Sequence, residues 1–415
     1  MSSRPRLLFV SPRYLFPLDQ GGKIRTANIL RGLRGGAFDI TLASPVPAAV
    51  AHSQGEIDAI CDRFISWPAP HVGTPGRVAM LADRLPVAVA SDRSAAGAGL
   101  VARTLADTDL LLADFPHSVP LLPAGGWPAS VMFTHNVEAE IFARHAEVAR
   151  GVMRLVWRQQ ARKMRRFEAA ALARFTSVIA VSRRDADALA AAYGLGDVAV
   201  IDTGVDLDFH AFQPPNPPSA PGGGTIVFTG AMDWRANIDG IEFLMNEVWP
   251  VLTRSHPGAR ALIVGRNPQP ALVEAARARG VDFDFTGYVD DIRPYVARGD
   301  VYIIPLRVGS GTRIKVFEAM ASGRPVVSTT LGVEGLDVTP GTHFMRANSA
   351  GEFAAAIAGL LDDAARARAM AAAARRLVEE RFSWSVVARQ FEEICLRALR
   401  PARGVTELPA RGVTG

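Results

Sequence analysis

A lysine and a glutamate three residues apart, Lys315 and Glu318, follow a glycine-containing turn, and together these groups could bind a nucleotide. The turn consists of Gly309, Ser310, Gly311 and Thr312. Its glycines let the backbone approach a ligand, and the first amides of the following helix lack intrahelical partners, which suits a diphosphate. Arg313 and Lys315 add positive charge, and the Glu318 carboxylate can accept ribose or sugar hydroxyls. The alternative is an exposed pair of opposite charges above a tight loop.

The residues around this turn predict a strand, a turn, a helix and a second strand in succession. Residues 301–306 are apolar and often β-branched, as in a buried parallel strand, and a helix follows to about Ser322. Gly323 and Pro325 end that helix, and residues 326–329 begin the next strand. The unit is of the βαβ kind. A dinucleotide fingerprint is excluded because the third glycine is missing.

Strand-like and helical segments alternate along the whole chain of 415 residues, which predicts parallel, doubly wound α/β sheets. Predicted strands cover residues 6–10, 39–44, 109–113, 130–134, 177–181, 198–202, 226–229, 261–264, 283–286 and 301–306. Predicted helices include residues 23–33, 238–253, 271–279, 350–381 and 384–399. A chain this long exceeds the size at which one hydrophobic core keeps growing, so two domains are expected.

The domain boundary is predicted where prolines and glycines accumulate, at residues 206–224, because such a segment cannot pack a core. The first domain is expected at residues 1–205 and the second at 225–381. A helix at 382–400 is expected to pack back on the first domain. The tail at 401–415 repeats the letters PARGVT twice, which is too few copies for a solenoid, and it is predicted to be disordered.

Several other candidate residues fall where a predicted strand meets a turn, the edge at which such sheets bind ligands. These residues are Gly21, Gly22, His135, Gly230 and Arg235. Two glycines after a strand are also ordinary loop chemistry. Arg235 could bind a phosphate through two hydrogen bonds, or it could pair with Asp239 one turn later. His135 could face a ligand, or it could hydrogen-bond the loop in which Asn136 begins the next helix.

A basic amphipathic helix is predicted within residues 144–166, which hold eight lysines and arginines against one acidic residue, Glu147. Arginines recur every four residues at Arg154, Arg158, Arg162 and Arg166. The expected packed stripe is Met153, Trp157, Met164, Phe167 and Ala171. A solvated surface explains this pattern, and so does docking of segment 150–166 on anionic lipid headgroups. Nucleic acid is not expected, because the basic face lacks aromatic residues.

The composition favours a cytoplasmic protein, and the basic helix would allow a peripheral position on the membrane's inner face. The net charge of +5 suits anionic partners. No apolar run reaches the ~18 residues of a membrane span, and the first ten residues do not resemble a signal peptide. Cys61 and Cys395 provide neither a disulfide framework nor a metal set. No metal site is predicted, because the paired aspartates at 206 and 208 and at 282 and 284 lack further ligands.

The segment PLRVGSGTRIKVFEAMASGRPVVST, residues 305–329, resembles the donor-binding core of the family 4 retaining glycosyltransferases, as does GYVDD at 287–291. The resemblance is strongest to bacterial sugar transferases of exopolysaccharide clusters. It implies the GT-B fold, in which two Rossmann-like domains face a central cleft and a C-terminal helix crosses back to the first domain. Many members carry a glutamate where this chain has Ser310, so contacts assigned to that glutamate do not carry over.

The resemblance implies a role for each candidate residue. Glu318 would hold the ribose of a nucleotide sugar, and Gly287 with Tyr288 would form a wall for the nucleobase. The segment GAMDWRAN at 230–237 resembles a family motif, with alanine at 236 in place of proline. The implied donor-binding residues are Gly21, Gly22, Gly230, Arg235, Gly287, Tyr288, Gly309, Ser310, Gly311, Thr312 and Glu318. The residues implied at the reacting centre are His135, Arg313 and Lys315.

The activity implied is transfer of a sugar, with retention, from a UDP- or GDP-linked donor to a saccharide or lipid-linked saccharide, without metal or cofactor. Exopolysaccharide or cell-surface glycan synthesis is the implied setting. Two alternatives remain open at this stage. A nucleotide-sugar epimerase of the same fold would act without an acceptor and would need cleft carboxylates, which Ser310 does not supply. A non-catalytic protein would bind nucleotide sugar without turnover.

Overall fold

A computed structural model divides the chain into two compact units. The structure describes residues 4–48, 54–215, 221–308 and 314–400. One unit contains the residues up to Ile201 and those from Ala388 onward, and the other contains Asp202–Val387. The helix at Trp384–Leu399 spans that second boundary in the sequence, so most of its residues belong to the first unit.

The first unit is built on a parallel sheet of seven strands in the order β3-β2-β1-β4-β5-β6-β7. Its strands are β1 (Arg6–Val10), β2 (Asp39–Val46), β3 (Arg63–Pro68), β4 (Leu110–Asp114), β5 (Ala129–Phe133), β6 (Ser177–Ala180) and β7 (Val198–Val200). Its helices are α1 (Gly21–Leu33), α2 (Gln54–Asp58), α3 (Thr74–Ala79), α4 (Val87–Ser91), α5 (Ala95–Leu105), α6 (Glu138–Val148), α7 (Gly151–Leu172) and α8 (Arg183–Tyr193). The central strands are apolar and fully buried, as expected when helices cover both faces of a sheet.

The second unit has a parallel sheet of six strands in the order β10-β9-β8-β11-β12-β13. Its strands are β8 (Gly223–Thr229), β9 (Gly258–Val264), β10 (Phe283–Gly287), β11 (Val301–Ile304), β12 (Val326–Ser328) and β13 (Met345–Arg346). Its helices are α9 (Arg235–Phe243), α10 (Trp249–Leu252), α11 (Pro270–Ala278), α12 (Arg293–Ala297), α13 (Ile314–Ala321), α14 (Ala350–Asp362) and α15 (Ala364–Arg381), and α16 (Trp384–Leu399) follows. The predicted class of two parallel doubly wound sheets is confirmed.

Three local predictions were wrong. The sequence reading missed β3, an edge strand that ends in Pro68, where a missing backbone donor is tolerated. The helix expected at 350–381 is two helices, because Asp363 accepts a hydrogen bond from the Arg366 amide and starts α15. The helix expected at 238–253 contains a π-helical turn at Leu244–Val248, just before Pro250, which cannot donate a backbone hydrogen bond.

The described part of the chain contains neither a candidate membrane-spanning helix nor a candidate metal site. No described helix is both long and apolar enough to cross a membrane. No group of three or more His, Cys, Asp or Glu side chains among these residues is arranged to hold a metal ion. The segment 309–313 and the tail 401–415 lie outside the described residues. The predictions made for Gly309, Ser310, Gly311, Thr312 and Arg313, and for the tail, are therefore not addressed by the structure.

Candidate functional site

Lys315 is fixed at the carboxyl edge of the second sheet. It lies in the first turn of α13, and its Nζ donates to the carbonyl oxygen of Thr229 and to Oδ1 of Asn237, each at 3.1 Å. The ammonium also stands 4.6 Å from the centroid of the Phe228 ring. Thr229 ends β8, so the strand and α9 together hold the charge of Lys315 in one place.

Gly230 is required by close packing around that lysine. A Cβ atom on Gly230 would lie 2.6 Å from Nδ2 of Asn237 and 3.1 Å from Nζ of Lys315. A Cβ on Gly265 would lie 1.9 Å from the carbonyl oxygen of Gly230, so two glycines meet where β8 and β9 end. The sequence reading selected Gly230 as a possible ligand contact and overlooked Gly265. The signal available for Gly265 was its place directly after the predicted strand 261–264.

Glu318 lies one turn after Lys315 on α13 and keeps about a third of its side chain exposed. Burial of the rest raises the pKa of Glu318, and the charge of Lys315 acts in the opposite direction. The carboxylate therefore remains within reach of a ligand while its neighbour holds a positive charge. This is the arrangement that the spacing of the two residues predicted.

His210 is a neighbour of Glu318 that the sequence reading missed. Its Nε2 is 3.9 Å from Oε1 of Glu318, and its Nδ1 lies 3.2 Å from the Ser322 hydroxyl at the end of α13. Arg375 holds the segment in place by donating to the carbonyl oxygens of His210 and Ala321, at 2.9 and 2.8 Å. His210 lies 112 residues from Ser322, so no local pattern could have paired them.

Replacing His210 by asparagine is expected to reduce the sensitivity of the protein to acid. Burial lowers the pKa of His210 to about 4, from 6.5, so the folded state favours the neutral ring. That stabilisation is present above pH 6.5 and is lost as the pH falls towards 4, because the unfolded chain binds the proton first. Between pH 6.5 and pH 4, the free energy of unfolding of the parent, measured with urea, should fall by about 3 kcal/mol more than that of His210→Asn. A constant difference between the two proteins would contradict this assignment.

Arg307, and not Arg235, forms the ion pair with Asp239 on α9. The predicted alternative for Arg235, an ion pair with Asp239, is wrong. The carboxylate of Asp239 instead accepts two hydrogen bonds from Arg307, of 3.0 and 3.1 Å. Arg307 also pairs with Glu247 at 3.0 Å, so its charge is already balanced. Arg235 is exposed at the first position of α9 and pairs with no residue of the described chain.

Gly287 and Tyr288 mark the carboxyl end of β10. Gly287 has a φ of 71°, a conformation that favours glycine, and the pairing of β10 with β9 shifts register just before it. Tyr288 follows with 74% of its surface exposed. An exposed aromatic ring at a strand end is available for stacking on a planar ligand.

A cavity of about 430 Å³ lies at the carboxyl ends of β11 and β12. Its lining residues are Leu306, Arg307, Thr329, Thr330, Leu331, Glu334 and Asn348. Hydroxyl, amide and carboxylate groups predominate among the polar side chains, which suits a ligand rich in hydroxyl groups. The cavity was not predicted, since its residues come from segments that showed no chemical pattern of their own.

In the first unit, His135 lies at the carboxyl end of β5 and is buried in a hydrogen-bonded cluster. Its Nε2 is 2.8 Å from Oδ1 of Asp114, and its Nδ1 is 3.0 Å from Nη1 of Arg25. A guanidinium can only donate, so Nδ1 accepts and the ring carries its hydrogen on Nε2, facing Asp114. Burial lowers the pKa of His135, and the nearby Asp114 charge acts against that change. Both ring nitrogens thus serve contacts within this unit.

The cluster also fixes Arg25, which the sequence reading missed. Arg25 is buried on α1, and burial lowers the pKa of its guanidinium to about 10, with Asp114 acting in the opposite direction. Asp114 additionally accepts hydrogen bonds from the hydroxyls of Ser11, at 3.0 Å, and Thr26, at 3.2 Å. Asp114 is the last residue of β4. Its central place depends on contacts between residues about one hundred positions apart.

Gly21 and Gly22 start α1 directly above this cluster. The Phe115 ring stacks on His135 with centroids 3.9 Å apart, and a Cβ on Gly22 would lie 2.8 Å from that ring. Gly22 must therefore remain a glycine for α1 to begin so close to the strand ends. Gly21 has open space around its Cα, so no packing requirement explains it. The structure brings Gly22, His135 and Arg25 together.

Family comparisons match most of the chain in two segments. Residues 21–209 match the family described as Glycosyltransferase Family 4, and residues 223–363 match Glycosyl transferases group 1. Glycogen synthase of Mycobacterium tuberculosis is 28% identical over 218 residues, 51% of either chain. Phosphatidyl-myo-inositol mannosyltransferase of Mycolicibacterium smegmatis is 32% identical over 203 residues, 48% of this chain and 51% of that protein. The chain spans about half the length of the curated relatives it matches.

Solved structures share the fold over nearly the full chain. Sucrose-phosphate synthase from Thermosynechococcus elongatus superimposes with a TM-score of 0.63 at 18% identity, covering 95% of this chain and 99% of that one. Anabaena HepE in complex with UDP gives a TM-score of 0.60 at 16% identity, covering 94% and 100%. These neighbours are glycosyltransferases of the GT-B fold, so the architecture of the two sheets is that of GT-B enzymes.

Proposed function

We propose that the chain is a family 4 glycosyltransferase that transfers a sugar with retention from a nucleotide-sugar donor to a hydroxyl of a saccharide or lipid-linked saccharide; the two family matches support this. The carboxyl edge of the second sheet is the proposed donor site. The proposed setting is synthesis of an exopolysaccharide or another cell-surface glycan, which rests on the resemblance of residues 305–329 alone. The proposed location is the cytoplasm.

The observation that carries this proposal is the placement of Lys315 and Glu318. Lys315 holds a positive charge at the end of β8, where a diphosphate would lie, and Glu318 presents a partly exposed carboxylate one turn further along α13. A charged group that is already oriented stabilises developing negative charge without reorganising when the reaction occurs. Glu318 in turn can accept two hydrogen bonds from the adjacent hydroxyls of a ribose.

The step we assign to this site is departure of the nucleoside diphosphate from the sugar carbon. Negative charge grows on the leaving phosphate oxygen as that bond breaks, and Lys315 would stabilise it, together with Arg313 and the amides of 309–312. Arg235 is an exposed cation at the start of α9 that could contact the same phosphates. Tyr288 would stack on the nucleobase, and the cavity at the ends of β11 and β12 would take the hydroxyl groups of the transferred sugar.

In the first unit, His135 remains our candidate for the residue beside the reacting sugar. Its side chain is 2% exposed, and both ring nitrogens are occupied by Asp114 and Arg25. We therefore assign it a positioning role in this arrangement, because an imidazole of fixed tautomer orients the guanidinium of Arg25. A direct contact with sugar would require one of its nitrogens to exchange partners.

Replacing Glu318 by alanine is expected to remove discrimination between ribose and deoxyribose. The parent should bind the ribonucleotide of its preferred base about tenfold more tightly than the 2′-deoxy form, because a lost hydrogen bond to a charged group costs ~1.5–3 kcal/mol. Calorimetric titration of both nucleotides into parent and variant measures the ratio. It should fall close to one in Glu318→Ala, and an unchanged ratio would contradict the ribose assignment.

Transfer itself is tested by incubating the full chain with UDP- and GDP-linked sugars, with and without saccharide acceptors. UDP and GDP are the first choices because a structural neighbour binds UDP and one relative is named as GDP-mannose-dependent. Acceptor-dependent release of nucleotide, with a new glycosidic bond of the donor's anomeric configuration, supports the proposal. Conversion of the donor sugar without any acceptor would instead identify an epimerase.

A further inference from the structure

The first turn of α7 carries large apolar side chains that nothing in the described chain covers. Val148 at the end of α6 is 78% exposed, and Val152, Met153 and Leu155 at the start of α7 are 75, 52 and 64% exposed. We call these four residues the apolar tip. The sequence pattern predicted Met153 on the packed stripe, and that prediction was wrong, because packing of α7 begins only at Trp157.

Exposed arginines lie beside the apolar tip. They include Arg150, which precedes α7, and Arg154, Arg158 and Arg162 on α7. Across the described residues, the arginines at 150, 154, 158 and 162 form no ion pair, and only Glu147 opposes them within the segment. Lys163 differs from these arginines, because its Nζ donates to the carbonyl oxygens of Leu81 and Asp83 and so links α7 to that segment.

The helices behind the tip are firmly packed. The Trp157 ring stacks on His145 with centroids 4.6 Å apart and meets Phe142 edge-on at 5.7 Å, which ties α7 to α6. Glu168 accepts hydrogen bonds from the amides of Glu138 and Ala139 at the start of α6. The apolar tip is therefore presented on a fixed helix pair.

We propose that the apolar tip and its arginines dock this protein on an anionic lipid bilayer. Apolar side chains at a helix end would enter the interfacial region of the bilayer, while arginines beside them would contact lipid phosphates. A partner protein of purely acidic character would leave the exposed valines and leucine uncovered. A purely apolar partner would leave the arginines without negative charges to bind. An anionic lipid surface satisfies both chemical features at once. The inference does not rest on the proposed function, since the surface lies in the first unit, away from the donor residues in sequence.

The test is flotation of the full-length protein with vesicles. Vesicles of phosphatidylglycerol and phosphatidylcholine in equal parts should carry the parent, and vesicles of phosphatidylcholine alone should carry much less. The variant Val152→Asp with Leu155→Asp should lower the partition coefficient at least about tenfold. The variant Arg150→Glu with Arg154→Glu should remove the preference for anionic lipid, because each charge near the surface is worth about fivefold.

Matched controls separate this surface from general effects of charge. Val78→Asp changes a valine of α3 that is 59% exposed, and Arg103→Glu changes an exposed arginine of α5, so both should float like the parent. The far-ultraviolet circular dichroism and the Tm should be unchanged in every variant, which shows that the chain is folded. Equal flotation of the parent and the tip variants would overturn the proposal. Failure of the parent to bind anionic vesicles would also overturn it. If the tip variants then dissociate a dimer, the apolar tip is instead an interface between two copies of this chain.

Discussion

The variant Lys315→Met is expected to turn over its donor about 10²- to 10³-fold more slowly than the parent at saturating substrate, the usual cost of removing one preorganised group that stabilises developing charge. Methionine keeps an unbranched apolar stem against the Phe228 ring, so the loss is mainly that of the charge. The ammonium is held by Thr229 and Asn237 and cannot move away, so water cannot replace it at low cost. Steady-state kinetics with the donor identified above provides kcat.

Lys163→Met is the matched control for this experiment. Its Nζ also donates to two carbonyl oxygens, those of Leu81 and Asp83, at 2.8 and 2.5 Å, but it lies in the first unit and in no proposed site. We expect this variant to lose about 1 kcal/mol of stability, because two partly buried carbonyls lose a donor, and to keep its kcat. A kcat of Lys315→Met within tenfold of the parent would contradict the role given to Lys315.

The variant Asp114→Ala is expected to destabilise the first unit by about 3–5 kcal/mol, because three buried donors lose their acceptor and each unsatisfied donor costs about 1–3 kcal/mol. Asp114 is fully buried and accepts hydrogen bonds from Ser11, Thr26 and His135. Its charge also favours the charged form of the buried guanidinium of Arg25, whose pKa burial lowers. Alanine removes both the shared acceptor and this charge.

Hydrogen exchange measured by peptide is the suitable readout, because it reports each unit separately. Peptides covering β4 and β5 should exchange faster in Asp114→Ala, and peptides covering β8 and β9 in the other unit should not change. Asp114→Asn keeps an acceptor oxygen for Nε2 of His135 and should lose less stability than the alanine variant. Equal protection of β4 in all three proteins would show that the cluster around His135 contributes little to stability.

Local spacing was sufficient to predict the features that lie within one turn or one strand end. The strand β11 and the helix α13 around Lys315 and Glu318 could be predicted because their pattern occupies fewer than thirty consecutive residues. The positions of Gly230 and His135 at strand ends could be predicted from the local sequence in the same way. The reason for Gly230 was not predictable, because the steric requirement comes from Asn237 on α9 and Lys315 on α13.

Residues brought together from distant parts of the chain could not be predicted in this way. Arg25 meets His135 across 110 positions, and neither residue's neighbours indicate the other. His210 reaches α13 from the proline-rich segment that the sequence marked only as a linker. Arg307 pairs with Asp239 and Glu247, and this pairing depends on how α9 packs beside β11. In each case tertiary contacts decide the role.

The most direct test of the central claim, that the second unit holds a nucleotide-sugar site at Glu318, is thermal unfolding of the full chain with UDP, GDP, ADP, CMP and dTDP in turn. A nucleotide present at about 100 times its Kd adds ~2.7 kcal/mol to the free energy of unfolding, which shifts Tm measurably. We predict that one nucleotide raises the Tm of the parent and, at the same concentration, raises that of Glu318→Ala by no more than about half as much, because the variant binds it at least about tenfold more weakly. If none raises it at millimolar concentration, or if both proteins respond equally, the claim is contradicted.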